Sequence, residues 1–361
     1  MARWDGTAWQ PFGTGMNNHV YAFTMYQGEL IAGGSFTNAD GNPCNRVARW
    51  DGSTWQPLGS GTNNIVDCLT VYNGELIAGG YFNTAGGVPC NGIARWDGNF
   101  WQPLGSGLTG NSVYALTIFN GDLIAAGSFL SPGNRVARWD GAAWHPFGTG
   151  ISPEFVEALT VYKGELIAGG YFDTAGGVTC NSVARWTGES WNQMGGGIDG
   201  EETETYVAGF AIYQDQLIMG GMFLEAGHTT CYSIARWEDT AWAAFGPPAF
   251  SDEVRALTVH DNELIAGGKF KKVGAAAYGG VARRVDNEWQ PLGTGVYNPN
   301  TAAYVAALTV YGGDLIAGGN FTTAGGVNCS RIARWNGSMA TPGIGRNQSG
   351  RHRLRHGVSR L

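Results

Sequence analysis

Charge is scarce in this 361-residue chain: Asp, Glu, Lys and Arg together make up 14% of it. What charge there is leans acidic, with a net −7, which excludes nucleic-acid binding through a general positive field. No apolar run is long enough to cross a bilayer. No stretch carries the 3.6-residue period of an amphipathic helix. His19, His145, His228 and His260 are scattered, without the spacing of a ligand pair, so no metal centre is expected. No nucleophile elbow, P-loop or dinucleotide fingerprint stands in a strand–turn–helix context. No catalytic residue, cofactor or metal is therefore assigned. A secretory leader is also missing, because the chain opens inside a repeat at Met1-Ala2-Arg3-Trp4. Its first residue is expected to be a fragment boundary.

Glycine and tryptophan are plentiful instead. There are 59 Gly and 14 Trp, and an apolar fraction of 43% argues against disorder. The stretch ARWDGSTWQPLG at residues 48–59 brings a cation, a carboxylate and two Trp together and reads at first as a site. Recurrence changes that reading. Its Ala-Arg pair starts at Ala2, Ala48, Ala94, Ala137, Ala184, Ala235, Ala282 and Ala333, and every Trp in the chain belongs to a copy. A catalytic group is needed once, whereas a residue needed seven times is architecture.

One period, residues 66–105, contains four segments of strand length bounded by turn residues. Asn73-Gly74 predicts a two-residue hairpin between the first and second, since both central residues need positive φ. Asp97-Gly98 predicts a second tight turn between the third and fourth. In the copy at 48–59, Asp51 and Gly52 thus form a hairpin tip. Seven copies of a four-stranded antiparallel unit predict an all-β fold, a seven-bladed β-propeller over residues 1–337. Third- and fourth-strand segments at the amino end are expected to pair with first- and second-strand segments at the carboxyl end. One Ala-Arg-Trp copy, at 2–4 or 333–335, is left over.

The Gly-Gly that ends one strand, followed by Val-Ala-Arg-Trp-Asp-Gly-X-X-Trp, resembles the kelch and galactose-oxidase-type propeller repeat. It is more similar still to the LIAGGxF…IARWDGxxW repeats of secreted bacterial propellers and fungal cortical polarity-marker proteins. The resemblance spans residues 2–337. It implies a propeller fold, a binding role and an extracellular or cell-surface location. One departure is the Trp five residues before the second Trp, as in Trp50 and Trp55, where kelch places a Tyr at longer spacing.

Arg49 and its equivalents need partners, because a buried lone charge is costly. Carboxylates recur after the first hairpin (Glu29, Glu75, Asp122, Glu165, Glu263, Asp314), so Arg49 is expected to pair with Glu29 or with Asp51. Trp50 and Trp55 are expected to fill the space left by the Gly-Gly strand. Arg284 stands where other copies have Trp, so that repeat is expected to be looser or more exposed. The cysteines, five at one repeat position, read as buried thiols.

Function is expected where repeats differ, on loops carried by a rigid scaffold. The fourth-to-first loops vary most and share a face with the second-to-third loops. They nominate His19, Asn63, Asn64, Phe155, Glu201, Glu202, Phe250, Asp252, Arg255, Tyr297 and Tyr304 as binding residues for a protein or glycan. The protein is expected to be monomeric and non-catalytic. The alternative is a carbohydrate-active enzyme working at the rim or in the central channel. Residues 338–361, with five Arg and no acid, read as a basic, disordered tail.

Overall fold

The computed structural model describes residues 8–200, 205–246 and 249–336. The tail and Glu201 and Glu202 lie outside them. Every regular element among the described residues is a β-strand. They form seven four-stranded antiparallel sheets in a propeller-like array. In the first sheet, Val20–Tyr26, Glu29–Gly34, Val47–Trp50 and Trp55–Pro57 lie side by side in chain order. Five further sheets repeat that order. The last is assembled from two distant parts of the chain. Tyr304–Tyr311, Asp314–Asn320 and Ile332–Trp335 are joined by Trp9–Pro11, in the register Trp9↔Trp335 and Pro11↔Ala333. The Ala-Arg-Trp copy at 333–335 fills the third-strand place, and the copy at 2–4 lies outside the described residues.

The hairpin chemistry explains the strand boundaries. Asn73 (φ 50°) and Gly74 (φ 80°) both lie in the left-handed region, as a two-residue turn of this twist requires. The second hairpin differs from the expected tight pair. Asp51 and Gly52 open a four-residue loop, 51–54, between Trp50 and Trp55, which pair directly. Asp51 Oδ1 accepts from the backbone N–H groups of Ser53 and Thr54, each at 2.9 Å. The Thr54 and Ser53 amides hold its carboxyl well below the usual carboxylate range.

Apolar clusters fill the joints between neighbouring sheets. Tyr26, Ile31 and Val47 of the first sheet pack with Val66, Leu76 and Ala78 of the second. Ile316 and Ile332 of the last pack with Val20 and Leu30 of the first. Here the expected role of Trp needs correction. A Cβ on Gly33 would lie 2.7 Å from Val66 Cγ1, and one on Gly34 would lie 2.1 Å from the His19 carbonyl oxygen. The Gly-Gly pair thus makes room for the next sheet's first strand and for its own sheet's bulge. The Trp side chains work elsewhere. In most copies the second Trp points back across a joint: Trp55 Nε1 donates to Phe12 O (3.2 Å), Trp101 to Leu58 O (2.9 Å) and Trp242 to Met194 O (2.9 Å). Burying such rings stabilises by roughly 2–3 kcal/mol each.

Arg284 is not exposed, contrary to expectation. Its guanidinium lies 4.1 Å from the Phe245 ring centroid and donates to Phe245 O at 3.0 Å, and the residue is buried. It takes the carbonyl that Trp289 would use by analogy, and Trp289 Nε1 has no hydrogen-bond partner.

On the outer strands Arg49 Nη1 meets Glu29 Oε1 at 2.7 Å, and Arg95 meets Glu75 at 2.7 Å. Where Gln216 replaces the acid, Arg236 turns to Glu238 instead, at 2.6 Å. All six cysteines are buried free thiols, and burial pushes Cys44, for example, up to about 11.

Candidate functional site

The seven first strands converge on one cavity of about 530 Å³. Each pairs with its second strand through a register shift that leaves one residue over. Such a bulge re-aims a side chain. The seven extra residues are Tyr21, Asp67, Tyr114, Glu157, Ala208, Arg255 and Ala306, and all seven line the cavity. Flanking Val and small residues hold the same shape in each copy, while this one position differs. Two residues earlier lie His19, Ile65, Ser112, Phe155, Tyr206, Glu253 and Tyr304, at the mouth where the fourth-to-first loops arrive.

Those loops are tied down. The second-to-third loop of most sheets forms a small hairpin, such as Thr174–Ala175 with Val178–Thr179. The preceding fourth-to-first loop adds a strand to it, as Ile151–Ser152 does, or a single bridge, as Met16 does with Ala39. The two loop classes do share one face.

Charged groups in and behind the cavity wall form a chain. Arg255 Nη2 lies 3.2 Å from Glu157 Oε1, and its Nη1 lies 3.4 Å from Glu253 Oε1. Lys269 Nζ holds Glu253 Oε2 at 2.9 Å, and the Tyr206 hydroxyl donates to Glu253. Ala208 stands between the sheets of Glu157 and Arg255, and its short side chain leaves the span open. Burial pulls the Arg255 guanidinium toward neutrality, but Glu157 and Glu253 outweigh it and strengthen its hold on the proton. Burial raises Glu157, against the pull of Arg255.

Asp67 stands apart. Its Oδ2 accepts from the Ser112 hydroxyl at 2.8 Å, and burial pushes its carboxyl up to about 6. Rings complete the wall: Tyr114 and Phe155 meet edge-on at 5.9 Å, Phe155 and Tyr206 at 6.2 Å. His19 Nδ1 lies 2.9 Å from the Tyr21 hydroxyl and 3.3 Å from that of Tyr304. Burial, then Arg331, lowers His19 below its ordinary value. Burial and Tyr21 push Tyr304 up to about 12. Among the described residues no three His, Cys, Asp or Glu side chains cluster as a metal site would need.

A sequence family described as "Domain of unknown function (DUF5122) beta-propeller" matches residues 28–50 and 73–99. No curated protein matches the chain. Among solved structures it is similar to the extracellular domain of BT4673, a protein of B. thetaiotaomicron classed as a hybrid two-component system. The TM-score is 0.60 at 12% identity, over 91% of this chain and 40% of that one. The extracellular domain of BT3049 from the same organism gives 0.59 at 12%, over 91% and 41%. The chain thus spans about two-fifths of the length of these two. The WD40 propeller domain of Doa1 gives 0.54 at 11%, over 92% and 97%. The fold is a β-propeller. At these identities the likeness carries the fold alone.

On this propeller the residues nominated from sequence fall into separate groups. Phe155, Arg255 and Tyr304 line the cavity, and His19 stands behind it against the hydroxyls of Tyr21 and Tyr304. Asn63 serves the fold, its Oδ1 accepting from the amides of Asn83 and Thr84 at 3.1 Å each. Asn64 accepts from the Ile65 amide at 2.9 Å, and Asp252 from that of Glu253 at 2.7 Å. Tyr297 is exposed on the loop face. Phe250 is corrected from surface to core: it is buried against Phe270 and Trp289, with ring centroids 4.8 and 5.0 Å away. Sequence reasoning missed Asp67, Glu157, Tyr21, Tyr114, Tyr206 and Glu253. A signal was present: the seven copies read Val-Tyr-Ala, Val-Asp-Cys, Val-Tyr-Ala, Val-Glu-Ala, Val-Ala-Gly, Val-Arg-Ala and Val-Ala-Ala, with Val first, a small residue last and a variable middle. No helix among the described residues is long and apolar enough to cross a membrane.

Proposed function

We propose that the chain is a seven-bladed propeller, closed by the pairing of Trp9–Pro11 with Ile332–Trp335. It acts as a non-catalytic module that holds a protein or glycan ligand at the loop-face mouth of its central cavity. Seven four-stranded sheets and the apolar joint between the last and the first support the closed ring. The observation that carries the binding role is the bulge position, where a repeated frame offers seven side chains of five different kinds to one cavity. Pockets with a few convergent polar groups among rings are where ligands bind. Repeats of this type resemble those of secreted propellers, and two structural neighbours are extracellular domains, so the proposed location is extracellular or on the cell surface. The test is a glycan and peptide array probed with the wild type and with Ala306→Trp, which fills the cavity. Capture by the wild type alone is expected. Capture that survives in the filled variant moves the site elsewhere.

One observation favours a second reading. Asp67 and Glu157 line the same cavity, and burial raises both. Paired carboxyls with altered acidity are the equipment of carbohydrate-cleaving acid–base chemistry. Turnover of chromogenic glycosides by the wild type, lost in both Asp67→Asn and Glu157→Gln, would replace binding by catalysis.

A further inference from the structure

The cavity is unevenly neutralised. Arg255 and Lys269 stand against Glu157 and Glu253, two cations against two carboxylates, at 3.4 Å or less. Asp67 has no such partner. Its recorded hydrogen bond is the one from Ser112, and no Lys, Arg or His lies within ion-pair distance among the described residues. His19, at the same mouth, is engaged by the hydroxyls of Tyr21 and Tyr304. One carboxylate thus enters a partly buried space without an ion-pair partner of its own, with Arg255 acting on it only from a distance.

The rest of the wall is aromatic. Tyr21, Tyr114, Phe155 and Tyr304 line the cavity with Asp67. Ring faces attract cations, by about 0.5–2 kcal/mol each. A metal ion is poorly served, because hard cations demand several oxygen ligands and no group of three ligating side chains is present among the described residues. An anion is no better served, since the Arg255 guanidinium is already claimed by two carboxylates. The complement of one carboxylate among rings is a cation with an apolar body.

Resting on the reading that the mouth is the ligand site, we propose that the central cavity binds a small organic ammonium ion, its charge against Asp67 and its body among Tyr21, Tyr114, Phe155 and Tyr304. Ala208 and Ala306, on either side of Arg255, have small side chains that leave room for the remainder of the ligand. The ammonium could be carried by an amino sugar or by an alkylamine resembling a lysine side chain. The two sources share this chemistry and are told apart by the probes.

Calorimetric titration at pH 7.5 and fixed ionic strength tests it. Glucosamine is compared with glucose, and n-butylammonium with n-butanol. At least one cation is expected to bind ten-fold or more tightly than its neutral counterpart, and whichever pair shows the preference identifies the source. Asp67→Asn should remove the preference, and Tyr114→Leu should weaken cation binding several-fold, with unchanged circular dichroism in both. Equal affinity within both pairs, no binding of any probe, or a preference that survives Asp67→Asn overturns the inference. The mouth reading fails separately. If array capture is lost in Ala306→Trp but kept in Asp67→Asn, the mouth stands and the ammonium falls. If capture persists in Ala306→Trp, the mouth itself falls.

Discussion

Two kinds of arginine pair coexist in this propeller. On the outer strands, Arg49 with Glu29 and Arg95 with Glu75 repeat one geometry, with side chains about two-fifths and one-third exposed. Around the axis Arg255 binds Glu157 and Glu253 once, and the Glu253 side chain is fully buried. The chemistry is the same, and the setting differs. Repeated, solvated pairs orient neighbouring strands and contribute little, whereas the single desolvated network fixes the shape and charge of a cavity.

That contrast can be broken by substitution. The largest effect is expected for Arg255→Met, which leaves Glu157 and Glu253 buried with one cation fewer. Denaturant unfolding at pH 7.5 should show a loss of about 3 kcal/mol. Acidification to pH 5 should recover part of it, because burial already makes Glu157 easier to protonate.

Asp67→Asn should act in the opposite direction. The folded carboxyl titrates near 6 against an ordinary 3.8. Well below pH 4 both states hold the proton and Asp67 contributes nothing. Between about pH 4 and 6 the unfolded carboxyl ionises while the buried one keeps its proton, so stability falls, and above 6 the loss stays constant. The Asn variant escapes this, so it should be more stable above pH 6 by on the order of 1–3 kcal/mol and unchanged near pH 4. A stabilising Asn substitution would show that Asp67 costs the fold stability, as a residue placed for a function does. Equal stability of the two proteins at pH 7.5 would remove that argument.

The smallest effect is expected on the outside. Arg49→Ala should cost about 0–1 kcal/mol, shrinking further in 1 M salt. A loss as large as that for Arg255→Met would erase the distinction between the two arginine classes.

The scaffold was largely legible because its determinants are local. Asn73-Gly74 and its counterparts demand positive φ, and the spacing of Trp50 and Trp55 marks where two strands fold back on each other. The cavity was harder to see. Alternation along a strand locates its faces only while register is kept, and a bulge breaks register at one residue. Tyr21, Asp67 and Glu157 therefore lie inside strands of uniform pattern, whereas the variable loops stand out by sequence yet include residues such as Asn63, whose Oδ1 is spent on the amides of Asn83 and Thr84. Contacts between sheets were equally hidden. Nothing in the spacing of Gly33 announces that Val66, on the next sheet, will occupy the space beside it, or that Phe250 turns inward from a variable loop to meet Phe270 and Trp289.

Arg284 carries one more consequence. At most joints an indole N–H reaches a carbonyl of the preceding sheet, yet at Phe245 a guanidinium makes that bond and the neighbouring indole goes without. What is inherited from copy to copy is therefore the acceptor, a backbone atom that no substitution can delete, while the donor is replaceable by any side chain with the right reach. A propeller assembled on such terms can tolerate the loss of a signature residue in one repeat, so such a loss need not register in its shape.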